Sequence, residues 1–211
     1  GMCDYTPIFL SDIPRLFSSG QLPIDVALIQ CTPPDERGMC SLGISVDIVK
    51  SAAENAAMVI AQINPQMPRT HGDSSLHIND FDWLVPVNTP LLEVHPMEPT
   101  EVTRRIGEHI ASLIEDGSTL EMGIGRIPQA VLEFLKNKKD LGIHTEMFTD
   151  AIIDMIENGV ITNQRKSLER GKISASFCLG TKKLYDYIDN NPMFSMHPTD
   201  CLLYTSPSPR D

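Results

Sequence analysis

Glu146 stands where the stretch LGIHTEMFTDAIIDMIENGV, residues 141–160, changes period. Alternation over 141–148 puts His144 and Glu146 on one face of a strand and Ile143, Thr145 and Met147 on the other. From Thr149 the period is helical, with Ile152, Ile153, Met155 and Ile156 in one apolar stripe and Asn158-Gly159 as the stop. A carboxylate at this handover is well placed for chemistry, because ligands of open α/β sheets bind at the carboxyl ends of the strands. Gly123-Ile124-Gly125-Arg126-Ile127-Pro128 joins another expected strand end to a helix start. Its N–H groups can face an anion or a developing oxyanion, and Pro128 suits the first helical turn because it has no N–H to leave unpaired. The two features together make a small site with one half that holds an electrophile and one half that attacks it. Taken singly, each is also the signature of an ordinary turn, a cap or a solvated acid. His144 can tune Glu146 by hydrogen bonding or serve as a structural histidine.

The elements that must position these groups follow from periodicity. Helices are expected over 11–19 and 46–56, and nearly continuous apolar runs over 25–32 and 57–64 read as parallel strands buried on both faces. Strand, helix and strand in that order make a right-handed parallel crossover. Residues 65–88 are irregular, 68–72 read as a loop at a strand end, and Trp83 is expected to pack. The proline-punctuated stretch 93–100 is the expected domain boundary. After it comes a long helix with the stripe Val102, Ile106, Ile110, Leu113 and Ile114, closed by Asp116-Gly117. Strands over 118–122, 141–146 and 172–179 then alternate with helices over 128–135, 149–157 and 181–188, and a last strand begins near 193–197. This is an α/β chain.

Composition excludes several functions. With 28 acidic against 17 basic residues and a net charge of -11, the chain has no basic block for nucleic-acid binding. No apolar run approaches the ~18 residues of a membrane span. Cys3, Cys31, Cys40, Cys178 and Cys201 form no C-x-x-C, no histidine stands at zinc-ligand spacing, and no metal site is expected. Odd, unpatterned cysteines suit reduced thiols and a cytoplasmic protein. The opening Gly1-Met2-Cys3 is not an ordinary start, and CLLYTSPSPRD at 201–211 matches a translated sequencing adapter, so 201–211 is expected to be a non-native tail that takes no part in the fold.

The segments GIHTEMFTDAIIDMIENGVI, MGIGRIPQAVL, SVDIVKSAAENAAMVIAQINPQMPRTHGDSSLHI and ASFCLGTKKLYDYIDNNPMF resemble the acetyl-CoA hydrolase/transferase family, in family order and over residues 4–200. The resemblance implies two CoA-transferase-like open parallel-sheet domains of the sugar-phosphate-isomerase type, both incomplete here. Residues 1–95 would be the latter part of the first domain and 96–200 the opening part of the second. It implies that Glu146 is the nucleophile and that Gly123, Ile124, Gly125, Arg126 and Ile127 contact CoA, although family members often carry alanine where Arg126 stands. The implied reaction moves CoA between a short-chain acyl-CoA, butyryl or 4-hydroxybutyryl, and acetate through a glutamyl-CoA thioester. Acyl-CoA hydrolysis and a non-catalytic small-ligand module are the alternatives. CoA is then a substrate, with no permanently bound cofactor, short-chain carboxylates are the partners, and the full-length protein is a homo-oligomer. The stretch as written is expected to be inactive and to expose apolar surface.

Overall fold

The computed structural model describes residues 5–204, so the Gly1-Met2-Cys3 start and the 205–211 part of the expected tail lie outside it. In chain order the elements are α1 (Ile13–Ser18), β1 (Ile24–Cys31), β2 (Met39–Ser41), α2 (Val49–Asn55), β3 (Ala56–Ile63), β4 (His71–Gly72), β5 (Ser75–His77) and β6 (Trp83–Pro86). They continue with α3 (Glu101–Leu113), β7 (Thr119–Leu120), α4 (Arg126–Phe134), β8 (Gly142–Phe148), α5 (Ile153–Glu157), β9 (Ile173–Cys178), α6 (Lys182–Ile188), β10 (Phe194–Met196) and α7 (Thr199–Tyr204). Strands pair in parallel in two sheets, β1-β3-β6 and β4-β10-β9-β8-β7, and β2 pairs with β5 as an antiparallel ribbon.

The two halves of the chain interlock. β4 comes from the first half yet forms the edge of the second sheet, beside β10. Ser45 bridges Phe177, and Val46 N–H, Asp47 N–H and Ile44 C=O bond the backbone of β9 at Ser176 and Cys178. Residues 65–88, read from sequence as irregular, hold β4, β5 and β6, two to four residues each and too short to show a period. Their pairing is long-range, which local pattern cannot carry.

Two expectations about burial are corrected. β1 and β3 were expected to be covered on both faces, but Ala27, Ile29, Cys31, Val59 and Ala61, with the half-buried Ala56 and Ile63, face the core from one side. The register aligns Leu28, Ile60 and Trp83 on the opposite face, where Leu28 is 77% and Trp83 62% exposed, so Trp83 does not pack as expected. On α3, Val102, Ile106, Ile110 and Leu113 point to solvent, whereas Gly107 and Ala111 are buried. A Cβ on Gly107 would come within 2.8 Å of the Ala130 carbonyl carbon, so α3 and α4 meet through small residues at close approach. The apolar stripe marks one face of α3; the backbone contact selects another.

Around the second sheet the pattern holds. Ile143, Phe148, Ile152, Ile153, Ile173, Leu184, Ile188 and Phe194 are essentially inaccessible, and Phe148 meets Phe194 edge-on at 4.8 Å between ring centres. The helix expected over 149–157 begins as a 3-10 turn, Asp150–Ile152, before α5. The apolar residues Cys201 to Tyr204, set aside with the tail, instead extend α7, and Leu202 is buried.

Candidate active site

Glu146 lies on β8, between β7 and β9. Burial along the strand follows the expected alternation: Ile143, Thr145 and Met147 are buried, while His144 and Glu146 are half-buried on the other face. His144 Nε2 lies 2.9 Å from the Leu202 carbonyl oxygen. Thr145 and Ala175, and Met147 and Phe177, are register partners, which sets Ser176 of β9 beside Glu146 on the same face.

The glycine turn follows from how β7 ends. Beyond Leu120 the backbone ladder stops, and the buried Thr145 hydroxyl takes over, accepting from Met122 N–H at 3.1 Å and approaching Met122 C=O at 3.0 Å. A side chain thus ties down the last residue before the turn. Gly125 then adopts φ 109° and ψ -169° as the N-cap of α4, a conformation that side chains rarely accept. The N–H groups of Gly123, Ile124 and Gly125 carry no hydrogen bond among the described residues. Arg126 and Ile127 open the helix and are exposed, and Arg126 forms no ion pair among the described residues. Unpaired donors at a helix start are the kind of group that meets an anion.

The environment of Glu146 is one that sequence could not supply. Burial first, then the negative charges of Glu121 and Asp47, hold its carboxyl above the usual glutamate range. Asp47 arrives from the first half of the chain, because its N–H and that of Val46 both bond the Ser176 carbonyl, at 3.2 and 3.1 Å. Its own carboxylate accepts from Ser45 Oγ at 2.9 Å and from the Ile48 and Val49 N–H groups at the start of α2. Nothing local in Ser45-Val46-Asp47 announces this role.

A cavity of about 190 Å³ opens at the same edge of the second sheet. Gly123, Ile124 and Gly125 line it with Met122, Leu132 and Met147, and residues 94–97 form its outer wall. Arg126, Ile127 and Glu146 do not line it: Glu146 occupies the opposite face of β8 from Met147. The glycine turn lines the Met147 side of the sheet edge, and Glu146 stands on the other face of β8. The wall is strapped down by Val94 N–H to Gly180 C=O at 2.9 Å, by Lys182 N–H to the Glu93 carboxylate at 2.8 Å, and by Tyr185 O–H to Leu92 C=O at 2.7 Å. Asp150, at the end of β8, accepts from Thr181 N–H at 2.9 Å and from the Thr181 hydroxyl, which locks the two neighbouring strand ends together.

Below the site, Lys166 reaches from the α5–β9 connection into the sheet and is only 5% exposed. Its ammonium donates to Ile143 C=O at 2.8 Å, Lys172 C=O at 2.7 Å and Ser174 Oγ at 2.9 Å. Burial lowers its pKa to about 8. Cys31, Cys40, Cys178 and Cys201 are all unpaired thiols, and burial pushes Cys31 up to about 12. No helix among the described residues is long and apolar enough to cross a membrane.

Comparison with known proteins places this geometry in a family. Residues 1–96 match the family described as acetyl-CoA hydrolase/transferase N-terminal domain. The chain is 53% identical over 200 residues to 4-hydroxybutyrate coenzyme A transferase of Clostridium kluyveri, covering 95% of this chain and 47% of that protein. It is 35% identical to butyryl-CoA:acetate CoA-transferase of Anaerostipes caccae, covering 91% of this chain and 44% of that one. Among solved structures it superposes on 4-hydroxybutyrate CoA-transferase from Porphyromonas gingivalis with a TM-score of 0.89 at 45% identity, over 92% of this chain and 50% of the other. RipA from Yersinia pestis gives a TM-score of 0.89 at 34% identity, over 95% and 46%. The chain spans about half the length of the relatives it matches. Sequence and fold agree with these CoA-transferases along nearly the whole of it, and residues 1–96 carry the match to the acetyl-CoA hydrolase/transferase family.

Proposed function

We propose that the protein is a CoA-transferase that moves CoA between a short-chain acyl-CoA, butyryl or 4-hydroxybutyryl, and acetate, with Glu146 as the nucleophile. The observation that carries this reading is the half-buried Glu146, crowded by like charges, on the strand next to a glycine turn whose N–H groups are unpaired. A raised pKa makes a carboxylate more basic and more nucleophilic, and esterifying it removes a negative charge from beside Asp47 and Glu121.

In this mechanism one Glu146 carboxylate oxygen adds to the acyl-CoA carbonyl, and CoA thiolate leaves to give an acyl-glutamyl anhydride. The thiolate then adds to the glutamyl carbonyl and expels the first acid, which leaves a glutamyl-CoA thioester. Acetate adds to that thioester and releases thiolate, and the thiolate takes the acetyl group and frees the carboxylate. Gly123, Ile124 and Gly125 offer N–H groups to the oxyanions and to CoA, and Arg126 and Ile127 extend that surface. Arg126 is the basic residue of the turn and suits a CoA phosphate. An anhydride is high in energy, so contacts with the distant part of CoA must be used at the reacting carbon. We assign CoA as substrate rather than resident cofactor, short-chain carboxylates as co-substrates, and a cytoplasmic homo-oligomer as the working form.

The test is butyryl-CoA turnover by the protein at the full length of its relatives, with and without acetate. Acetate-dependent formation of acetyl-CoA supports transfer, and acetate-independent loss of thioester means hydrolysis. Borohydride treatment after acyl-CoA alone should convert Glu146 to the alcohol. An unmodified residue would refute the covalent route.

A further inference from the structure

Ser176 is fully buried, and its hydroxyl has no hydrogen-bond partner among the described residues. A buried, unbonded hydroxyl is rare and costs stability, so it calls for a physical reason. Ser174, two residues earlier on the same face of β9, provides the contrast: its hydroxyl receives from Lys166 and donates to the Glu169 carboxylate at 2.5 Å. Ser176 has no such structural duty. Its backbone, moreover, is fixed from outside the sheet by the Val46 and Asp47 N–H groups on its carbonyl.

The register supplies the reason. Ser176 is the lateral neighbour of Glu146 and shares its face, and adjacent strands stand about 4.8 Å apart, within reach of a glutamate side chain that turns toward a serine hydroxyl. We propose that the Ser176 hydroxyl is a catalytic donor to acylated Glu146, bonding the glutamyl carbonyl oxygen and stabilising the oxyanion that forms there. This rests on the reading of Glu146 as nucleophile. Two steps of that route need the donor: thiolate addition to the glutamyl anhydride, and acetate addition to the glutamyl thioester. In each, the carbonyl π electrons move onto oxygen as the new bond forms, and they return as the leaving group departs. The hydroxyl keeps its proton throughout. A donor left unbonded in the resting enzyme need break no bond before reaction, as pre-organised stabilisation requires.

The experiment is Ser176→Ala and Ser176→Cys in the protein at the full length of its relatives, beside Glu146→Gln. For Ser176→Ala we expect a melting temperature no lower than the parent's, an unchanged KM for acyl-CoA, and kcat lowered on the order of 10²–10³-fold, the usual effect of losing one oxyanion donor. Borohydride-trappable thioester should form correspondingly slowly, and the weaker donor of Ser176→Cys should restore part of the rate. Normal kcat in Ser176→Ala beside an inactive Glu146→Gln overturns this inference alone. Loss of melting temperature in Ser176→Ala overturns it as well, since the hydroxyl would then be structural. Turnover by Glu146→Gln removes the reading beneath it.

Discussion

Replacing Lys166 with methionine tests whether one buried ammonium holds together the sheet that carries Glu146. Three bonds are lost, to Ile143 C=O, Lys172 C=O and Ser174 Oγ. Bonds from a charged donor contribute about 1.5–3 kcal/mol each, so the gross loss is roughly 5–9 kcal/mol. Against this stands the cost of burying the charge, which lowers the lysine pKa from 10.5 to about 8. At about 1.4 kcal/mol per pH unit, methionine recovers roughly 3 kcal/mol of that cost. The bonds win, and the net loss expected near neutral pH is roughly 2–6 kcal/mol, or roughly 4–24 °C in melting temperature for a chain of this size.

The same residue fixes a pH signature. Its folded-state pKa is depressed, so between about 8 and 10.5 the folded chain has released a proton that the unfolded chain still holds. Stability therefore rises with pH across that window, by up to about 3 kcal/mol. Urea unfolding followed by circular dichroism at pH 7, 9 and 10.5 measures both effects. A Lys166→Met chain that melts within a degree or two of the parent, or that keeps the parent's rise with pH, would refute the reasoning.

Three further outcomes follow from the site. Glu146→Gln should melt higher than the parent at neutral pH. The raised carboxyl pKa means that the ionised form costs stability in the fold, a penalty that builds as pH rises through the folded value and is absent below the ordinary 4.5, so the gain should vanish in acid. Thr145→Val keeps the shape but strands the Met122 N–H, and should lower stability by about 1–3 kcal/mol in denaturant titration while raising KM for CoA through a loosened turn. Gly180→Ala places a Cβ 1.9 Å from the Asp150 carboxylate. It should break the Asp150–Thr181 tie and lower the melting temperature by several degrees, whereas Gly159→Ala, with open space around it, should pay only for its φ of 73°.

Much of the second half was legible because its elements are long enough to show a period. The alternation over 141–148 and the apolar stripe that follows place Glu146 close to the handover without any structure, although β8 runs on past it to Phe148, and the turn from Gly123 to Ile127 is marked by its glycines and Pro128. Where the elements are two to four residues long, as in β4, β5 and β6, no period exists to read. The stripe on α3 was visible, but not that Gly107 and Ala111 would turn a different face to α4.

What sequence alone determined is the local grammar: which residues alternate, where strands give way to helices, and which acid stands at the handover. What only the tertiary structure decided is the company that acid keeps. Asp47 lies 99 positions from Glu146 and Ser176 lies 30 away. They converge because a segment of the first half hydrogen-bonds to the strand beside β8. Burial and charge act through space, so the groups that raise the Glu146 pKa, and the unbonded hydroxyl next to it, belong to strand register and not to any spacing along the chain.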